Sequence, residues 1–413
     1  MKKAILVGVD YYPKNKLPVY MDELRTLAET LDIETAAIFT QEGKLANSQT
    51  KIGSGKLDEI KTHLQDHPAD LAIFNEELTG SQIRNLEDAL DIPVIDRTLL
   101  ILDIFAKRAR TKEAMLQVEV AQLKYILPRL ASLDISFGRQ QGGIGSRGPG
   151  EKKIELDRRK IENDIVQLKK QLDHIVKVRQ SNRKHRKKSL IKTVAVVGYT
   201  NAGKSTLVNV LLDMAQRKEN KNVHVKDQLF ATLETASRRI DLPNKKPFVL
   251  TDTIGFISNL PPDLVDSFKS TLEEIKEADL LIHVVDFSNP YYFYQIMTTQ
   301  KVLEELGVDD IDTLYVFNKI DLNQDNLPHG FTPSVKISLT ERKNIDVLID
   351  KIFEQLAKED IVACYTIPYD AGDIVNVLSE HSEILEQKND ENGTHVKARV
   401  SPALREQIKK YEV

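Results

Sequence analysis

The segment GYTNAGKST, Gly198 to Thr206, sets two glycines, a lysine and hydroxyl residues at the spacing G-x-x-x-x-G-K-[ST]. That spacing suits a phosphate loop. Backbone N–H groups turn inward on an anion, and a helix starting at the lysine adds its positive N-terminal end. Gly198, Tyr199, Thr200, Asn201, Ala202, Gly203, Lys204, Ser205 and Thr206 are the candidate phosphate contacts. Lys204 is expected to reach the β- and γ-phosphates, and the Ser205 hydroxyl to bind Mg²⁺. The apolar run TVAVV before the loop and STLVNVLL after it supply the strand and helix that such a loop requires.

Two more segments extend this chemistry to a whole nucleotide. DTIGF, Asp252 to Phe256, follows the apolar run FVLT. Asp252 at a strand end suits Mg²⁺, commonly held through water, and Gly255 leaves room for its N–H to approach the γ-phosphate. NKID, Asn318 to Asp321, ends the run LYVF. Two carboxylate oxygens of Asp321 match the N1–H and 2-amino group of guanine, a donor pair that adenine lacks. Asn318 can tie the base to the loop, the Lys319 stem can lie over the ring, and Ser338 with Leu339 can offer backbone contact to the guanine oxygen. The three segments in this order specify GTP and GDP over adenine nucleotides.

Between them, FATLETASRR is expected to hold the loop that senses the γ-phosphate. Thr232 and Thr235 both offer a hydroxyl for Mg²⁺, and Thr232 is preferred. Lys204, Thr232 and Gly255 are thus the expected catalytic set. Phe256 stands where many GTPases carry a water-orienting glutamine, so turnover by the protein alone is expected to be slow.

These residues need strands to hold them. TVAVVG, RRIDL, FVLTD, LLIHVVD, LYVFN and VKIS read as the strands of a doubly wound sheet over residues 189–358. Ahead of it, AILVGVD, ETAAIFT, DLAIFN and IPVID alternate with helical patterns, which predicts a small parallel α/β domain over 1–108. Within that domain KIGSGKLDEI resembles a phosphate loop only in part. Thr50 stands where the first glycine is required, and a helix entry after a turn is the better reading. Residues 359–413 read as a small α+β domain, with strands VACYTIP, SEIL and THVKARV and helices AGDIVNVLSEH and ALREQIKKYEV.

Residues 109–188 form the fourth part. Leu116, Val120, Leu123, Leu127 and Leu130 make an apolar seam over 110–131, and Ile154, Ile161, Ile165, Leu168, Leu172 and Ile175 make another over 151–180. Steps of three and four predict an antiparallel helical hairpin, with Pro128 bending or ending the first helix near its last turn. Its tip is GRQQGGIGSRGPGE, six glycines in fourteen residues. From Lys107 to Lys188 there are 22 Lys or Arg against 9 Asp or Glu, +13 in a chain whose net charge is −4. A basic segment on an acidic protein suggests a polyanionic partner met by one face, and a solvated helical surface is the alternative reading. Arg139, Arg147, Lys152 and Lys153 are candidate RNA-phosphate contacts, and glycines let the backbone come close.

Composition excludes other classes. No apolar run is long enough to span a membrane, and Asp10 interrupts the N-terminal apolar patch too early for a signal peptide. A single cysteine, Cys364, allows no intrachain disulfide and fits a reducing cytoplasm. A cytoplasmic monomer without a zinc site is expected.

Taken in order, GYTNAGKST, FATLE, DTIGF, NKID and SLT resemble the Obg-related branch of translational GTPases. With QLKYILPRL, GGIGSRGPGE and KKIELDRRKI, the chain resembles the HflX family over essentially its whole length. The resemblance implies a GTPase that binds the large ribosomal subunit, with the glycine-rich tip directed to ribosomal RNA near the peptidyl-transferase region. It also implies a role in splitting or rescuing stalled ribosomes under stress, and it makes a hydrophobic residue at Phe256 expected. Two other readings stand beside it: a nucleotide-gated binding module that uses slow hydrolysis as a timer, and an ATP-dependent RNA-remodelling enzyme.

Overall fold

A computed structural model of the chain describes residues 2–10, 17–43, 47–130, 149–186, 191–215, 236–243, 245–253, 255–258, 273–308, 310–323, 325–391 and 393–413. The tip at 131–148, with Arg139 and Arg147, and the segment holding Thr232 and Thr235 lie outside the described residues. Among the described residues one compact unit holds those up to Val178 together with Ser258, and a second holds the rest.

The first unit opens with β1 (Lys2–Asp10), α1 (Leu17–Thr30), β2 (Ile33–Glu42), α2 (Ser54–Asp66), β3 (Leu71–Phe74), α3 (Gly80–Leu90), β4 (Val94–Asp96) and α4 (Arg97–Arg108). The strands form a parallel sheet in the order β2-β1-β3-β4. Parallel neighbours need crossover helices, which is why strand and helix alternate in the sequence. Ile5, Val7, Phe39, Ile60, Phe74 and Leu86 fill one face of the core. The KIGSGKLDEI stretch is a helix entry: Gly53 is the N-cap of α2, and its N–H donates to Gln41 Oε1 at 2.9 Å.

The first of the two helices expected to pair, α5 (Lys112–Ile126), is capped by Thr111 and gives way at Pro128 to a 3₁₀ turn over Leu127–Arg129. Arg129 then roots the chain. Its guanidinium donates to the carbonyls of Tyr125 and Leu78, both at 2.8 Å, and lies 3.6 Å above the Tyr125 ring. The second helix, α6, runs Pro149–Arg186. Along it Ile161, Leu168, Leu172 and Ile175 are half-buried and Ile165 is buried, the stripe marked by the sequence pattern.

In the second unit lie β5 (Thr193–Gly198), α7 (Lys204–Ala215), β6 (Ala236–Ile240), β7 (Phe248–Asp252), β8 (Leu280–Asp286), α8 (Tyr292–Glu305), β9 (Thr313–Asn318), β10 (Ser334–Lys336) and α9 (Ile345–Leu356). Six strands make one sheet, β10-β9-β8-β5-β7-β6, in which the edge strand β6 is antiparallel. The strand order reverses about β5. In open α/β sheets, ligands bind beyond the carboxyl ends of the strands at such a point. Here those ends carry Gly198, Asp252, Asp286 and Asn318. The chain ends in β11 (Ile361–Ile367), α10 (Gly372–His381), β12 (Glu383–Asp390), β13 (Gly393–Val400) and α11 (Pro402–Ile408), with an antiparallel sheet β11-β13-β12 around Tyr365, Leu378, Val396 and Leu404.

Candidate active site

Four parallel strands deliver the chemistry to one edge of the sheet. β5 ends in the loop Gly198–Gly203, and Lys204 is the first residue of α7. Gly203 has φ +103°, and a Cβ there would collide with Asn318 Nδ2, so the loop closes tightly only with glycine. Ala202 and Thr200 are buried, whereas Asn201 is exposed at the turn.

Lys204 is 6% exposed, and its Nζ donates to the Tyr199 carbonyl at 2.6 Å. Burial pushes its ammonium down to about 8, and the Asp252 carboxylate opposes that shift. Ser205, next in the helix, donates its hydroxyl to Asp252 Oδ2 at 3.3 Å. A hydroxyl beside a carboxylate, both oxygen donors, is a donor set that suits Mg²⁺.

Beyond Asp252 the backbone folds onto the loop. Thr253 Oγ1 donates to the Val196 carbonyl at 2.6 Å. Gly255 lies so close that a Cβ would stand 2.8 Å from Lys204 Nζ. Phe256 turns inward and is 3% exposed.

The base side is built at the ends of β8 and β9. Asn318 donates from Nδ2 to the Ala202 carbonyl at 2.9 Å and accepts from Leu339 N at 3.2 Å. Lys319 takes φ +65° and pairs with Asp286 at 2.7 Å, which fixes its stem across the site. The Oδ1 of Asp321 is buried and has no hydrogen-bond partner among the described residues, as befits a carboxylate that awaits guanine donors. Ser338 is fully buried, its Oγ accepting from Glu341 N at 3.1 Å.

Sequence similarity points to the same chemistry. Residues 19–106 match the family described as GTP-binding GTPase N-terminal, residues 108–186 the GTP-binding GTPase Middle Region, and residues 193–319 the 50S ribosome-binding GTPase. The chain is 46% identical to GTPase HflX of Caldanaerobacter subterraneus subsp. tengcongensis over 410 residues, 99% of this chain and 94% of that protein. The chain belongs to the GTPase HflX family. With GTPase HflX of Escherichia coli it shares 42% identity over 327 residues, 79% of this chain and 75% of the relative. The crystal structure of SsGBP with GDP matches at 26% identity and a TM-score of 0.50, over 87% of this chain and 99% of that one.

This HflX-family chain is therefore a GTPase of a ribosome-binding family, and it binds GTP and GDP on a P-loop fold. The structure brings together Gly198 to Thr206, Asp252, Gly255, Asn318, Lys319, Asp321, Ser338 and Leu339 at the carboxyl edge of one sheet. Lys152 and Lys153 fall in the first turns of α6, in the first unit.

Three features were not read from the sequence. Asp286, the partner of Lys319, closes LLIHVVD, and an acidic residue at a strand end was the available signal. The backbone pairing of Phe256 with the loop left no sequence mark. His283 is buried on β8, and burial, with the Lys204 charge adding to it, pushes its imidazole down to about 3.

Proposed function

We propose that this chain hydrolyses GTP slowly alone and faster on the large ribosomal subunit, and that it splits or rescues stalled ribosomes under stress. One observation carries the need for a partner. Phe256, directly after the Asp-x-x-Gly segment, packs its ring among Ala195, Val197, Ile275 and Leu281. It offers no polar group to the attacking water, so the ordering of that water falls to whatever the protein binds.

The chain's own residues supply the rest. The loop amides and Lys204 hold the phosphates, and Gly255 presents its N–H to the γ-phosphate. Asn318, Lys319 and Asp321 hold the base, with Ser338 and Leu339 at the guanine oxygen. Ser205, Asp252 and Thr232 would hold Mg²⁺, which when bound supplies positive charge to the β- and γ-phosphate oxygens.

The ribosomal part of the reading is supported by the +13 charge of residues 107–188 and by the 50S ribosome-binding description of the family matched at 193–319. Arg139, Arg147, Lys152 and Lys153 at and beside the glycine-rich tip are the proposed contacts to ribosomal RNA near the peptidyl-transferase region. The test is steady-state GTP hydrolysis with purified large or small subunits, for the full chain and for a variant with a shortened 138–150 loop. Stimulation by large subunits that falls in the shortened variant supports the reading. Equal rates with and without large subunits would sink it and leave a slow nucleotide-gated binding module.

A further inference from the structure

Phe256 does more than leave the water alone. The ladder between β5 and β7 ends at the pair Val196–Asp252, and the two chains meet again at a single parallel bridge, Tyr199–Phe256. From the first pair to the second, the chain takes three steps along β5 and four along the Asp252 side. The Asp252 side is thus one residue longer than the β5 side between the two pairs.

Both ends of this longer stretch are held by hydrogen bonds. At its start, Thr253, fully buried, is bonded to the Val196 carbonyl. At its close, the Phe256 N–H donates to the Gly198 carbonyl at 3.1 Å, and the Phe256 carbonyl accepts from Thr200 N at 2.8 Å. The Phe256 ring belongs to one buried apolar cluster with Ala195, Val197, Ile275, Ala278 and Leu281. Gly255 lies against Lys204 and Thr200: a Cβ on it would lie 2.8 Å from Lys204 Nζ and 3.1 Å from Thr200 Cα.

We infer that Phe256 is a positioning residue for GTP: its buried ring clamps the DTIGF backbone to the phosphate loop and so holds the Gly255 N–H beside Lys204, where the γ-phosphate is received. The residue that takes the place of a water-orienting glutamine thus has its own task. GDP lacks the γ-phosphate and does not use the clamp, so the two nucleotides separate this role from a general effect on the fold.

The experiment measures affinity for a non-hydrolysable GTP analogue and for GDP, with single-turnover GTP hydrolysis, in full-length F256A, F256Q and F256L. Loss of the ordered contact in F256A and F256Q weakens the GTP analogue by about tenfold or more while GDP changes by less than about twofold. F256L, which keeps an apolar side chain in the pocket, recovers most of the lost analogue affinity. F256Q hydrolyses GTP more slowly than the parent protein, because its amide has no partner among those apolar neighbours and leaves the core. Faster hydrolysis by F256Q would overturn the inference, since glutamine would then be serving the water. Parallel loss of GTP-analogue and GDP affinity in F256A and F256L, or no change in either, would overturn it too.

Discussion

Asn318 and Ala202 join the base-binding side of the site to the phosphate side: the Asn318 amide, 3% exposed, donates to the Ala202 carbonyl at 2.9 Å. The same side chain accepts from Leu339 N at 3.2 Å, so one residue fixes two loops. Replacing it with alanine leaves a buried carbonyl and a buried N–H without that partner, each at a cost of about 1–3 kcal/mol. N318A is expected to weaken GDP and GTP alike, by about tenfold to a hundredfold. Titration calorimetry with both nucleotides checks this, and a loss confined to one of them would speak against the bridging role.

Asp321 carries base selection. Its buried Oδ1 has no partner among the described residues and suits the N1–H and 2-amino donors of guanine. An asparagine there presents a donor where guanine also presents donors. D321N is expected to lose about a hundredfold or more in GDP affinity. It should gain affinity for xanthosine diphosphate, which has a carbonyl in place of the 2-amino group. Competition binding of the two nucleotides decides it, and unchanged preference for guanine would place the selection elsewhere.

Lys204 makes nucleotide binding depend on pH. Burial holds it at about 8 in the free protein, and phosphates beside it favour the charged form, so binding raises that value. Affinity is then flat below pH 8 and falls above it by up to about tenfold per unit, with proton uptake on binding. The lowered value also means that the free protein gains stability as pH rises from about 8 towards the lysine's usual 10.5. Calorimetry at pH 8.5 in two buffers of different ionisation heat measures the uptake. Zero uptake would show that Lys204 is fully charged before the nucleotide arrives.

His283 gives an acid-side counterpart. It is 1% exposed, Nδ1 has no hydrogen-bond partner among the described residues, and burial lowers it from 6.5 to about 3. The unfolded chain takes up a proton that the folded chain refuses. The stability from keeping it neutral is therefore complete above pH 6.5 and is lost as pH falls towards 3, at about 1.4 kcal/mol per unit. H283L, which cannot titrate, is expected to reduce that slope between pH 6 and 4 in urea unfolding. An identical slope in parent and variant would assign the acid sensitivity to other groups.

Much of the nucleotide site was legible because its parts sit at strand ends, and strands announce themselves as apolar runs. GYTNAGKST, DTIGF and NKID each follow such a run, and the parallel order of β5, β7, β8 and β9 brings Gly198, Asp252 and Asn318 to one edge. The buried stripes of α5 and α6 were legible for a similar reason, since steps of three and four mark one face of a helix. Pro128 announced the break after α5. Contacts between distant side chains follow no period. Lys319 finds Asp286 across 33 positions, and Arg129 reaches the Leu78 carbonyl across 51. The antiparallel edge strand β6 was equally hidden, because RRIDL reads the same in either direction of pairing. The main-chain bridge between Phe256 and Tyr199 has no period of its own, and only the apolar side chain buried beside it shows in the sequence.

The most direct test of a nucleotide-gated ribosome binder is sedimentation of the full chain with purified large subunits, in a non-hydrolysable GTP analogue and in GDP. Ordering of Gly255 by the γ-phosphate predicts that the protein travels with the subunit in the analogue and stays near the top of the gradient in GDP. Equal co-sedimentation in both nucleotides, or none in either, would contradict the account.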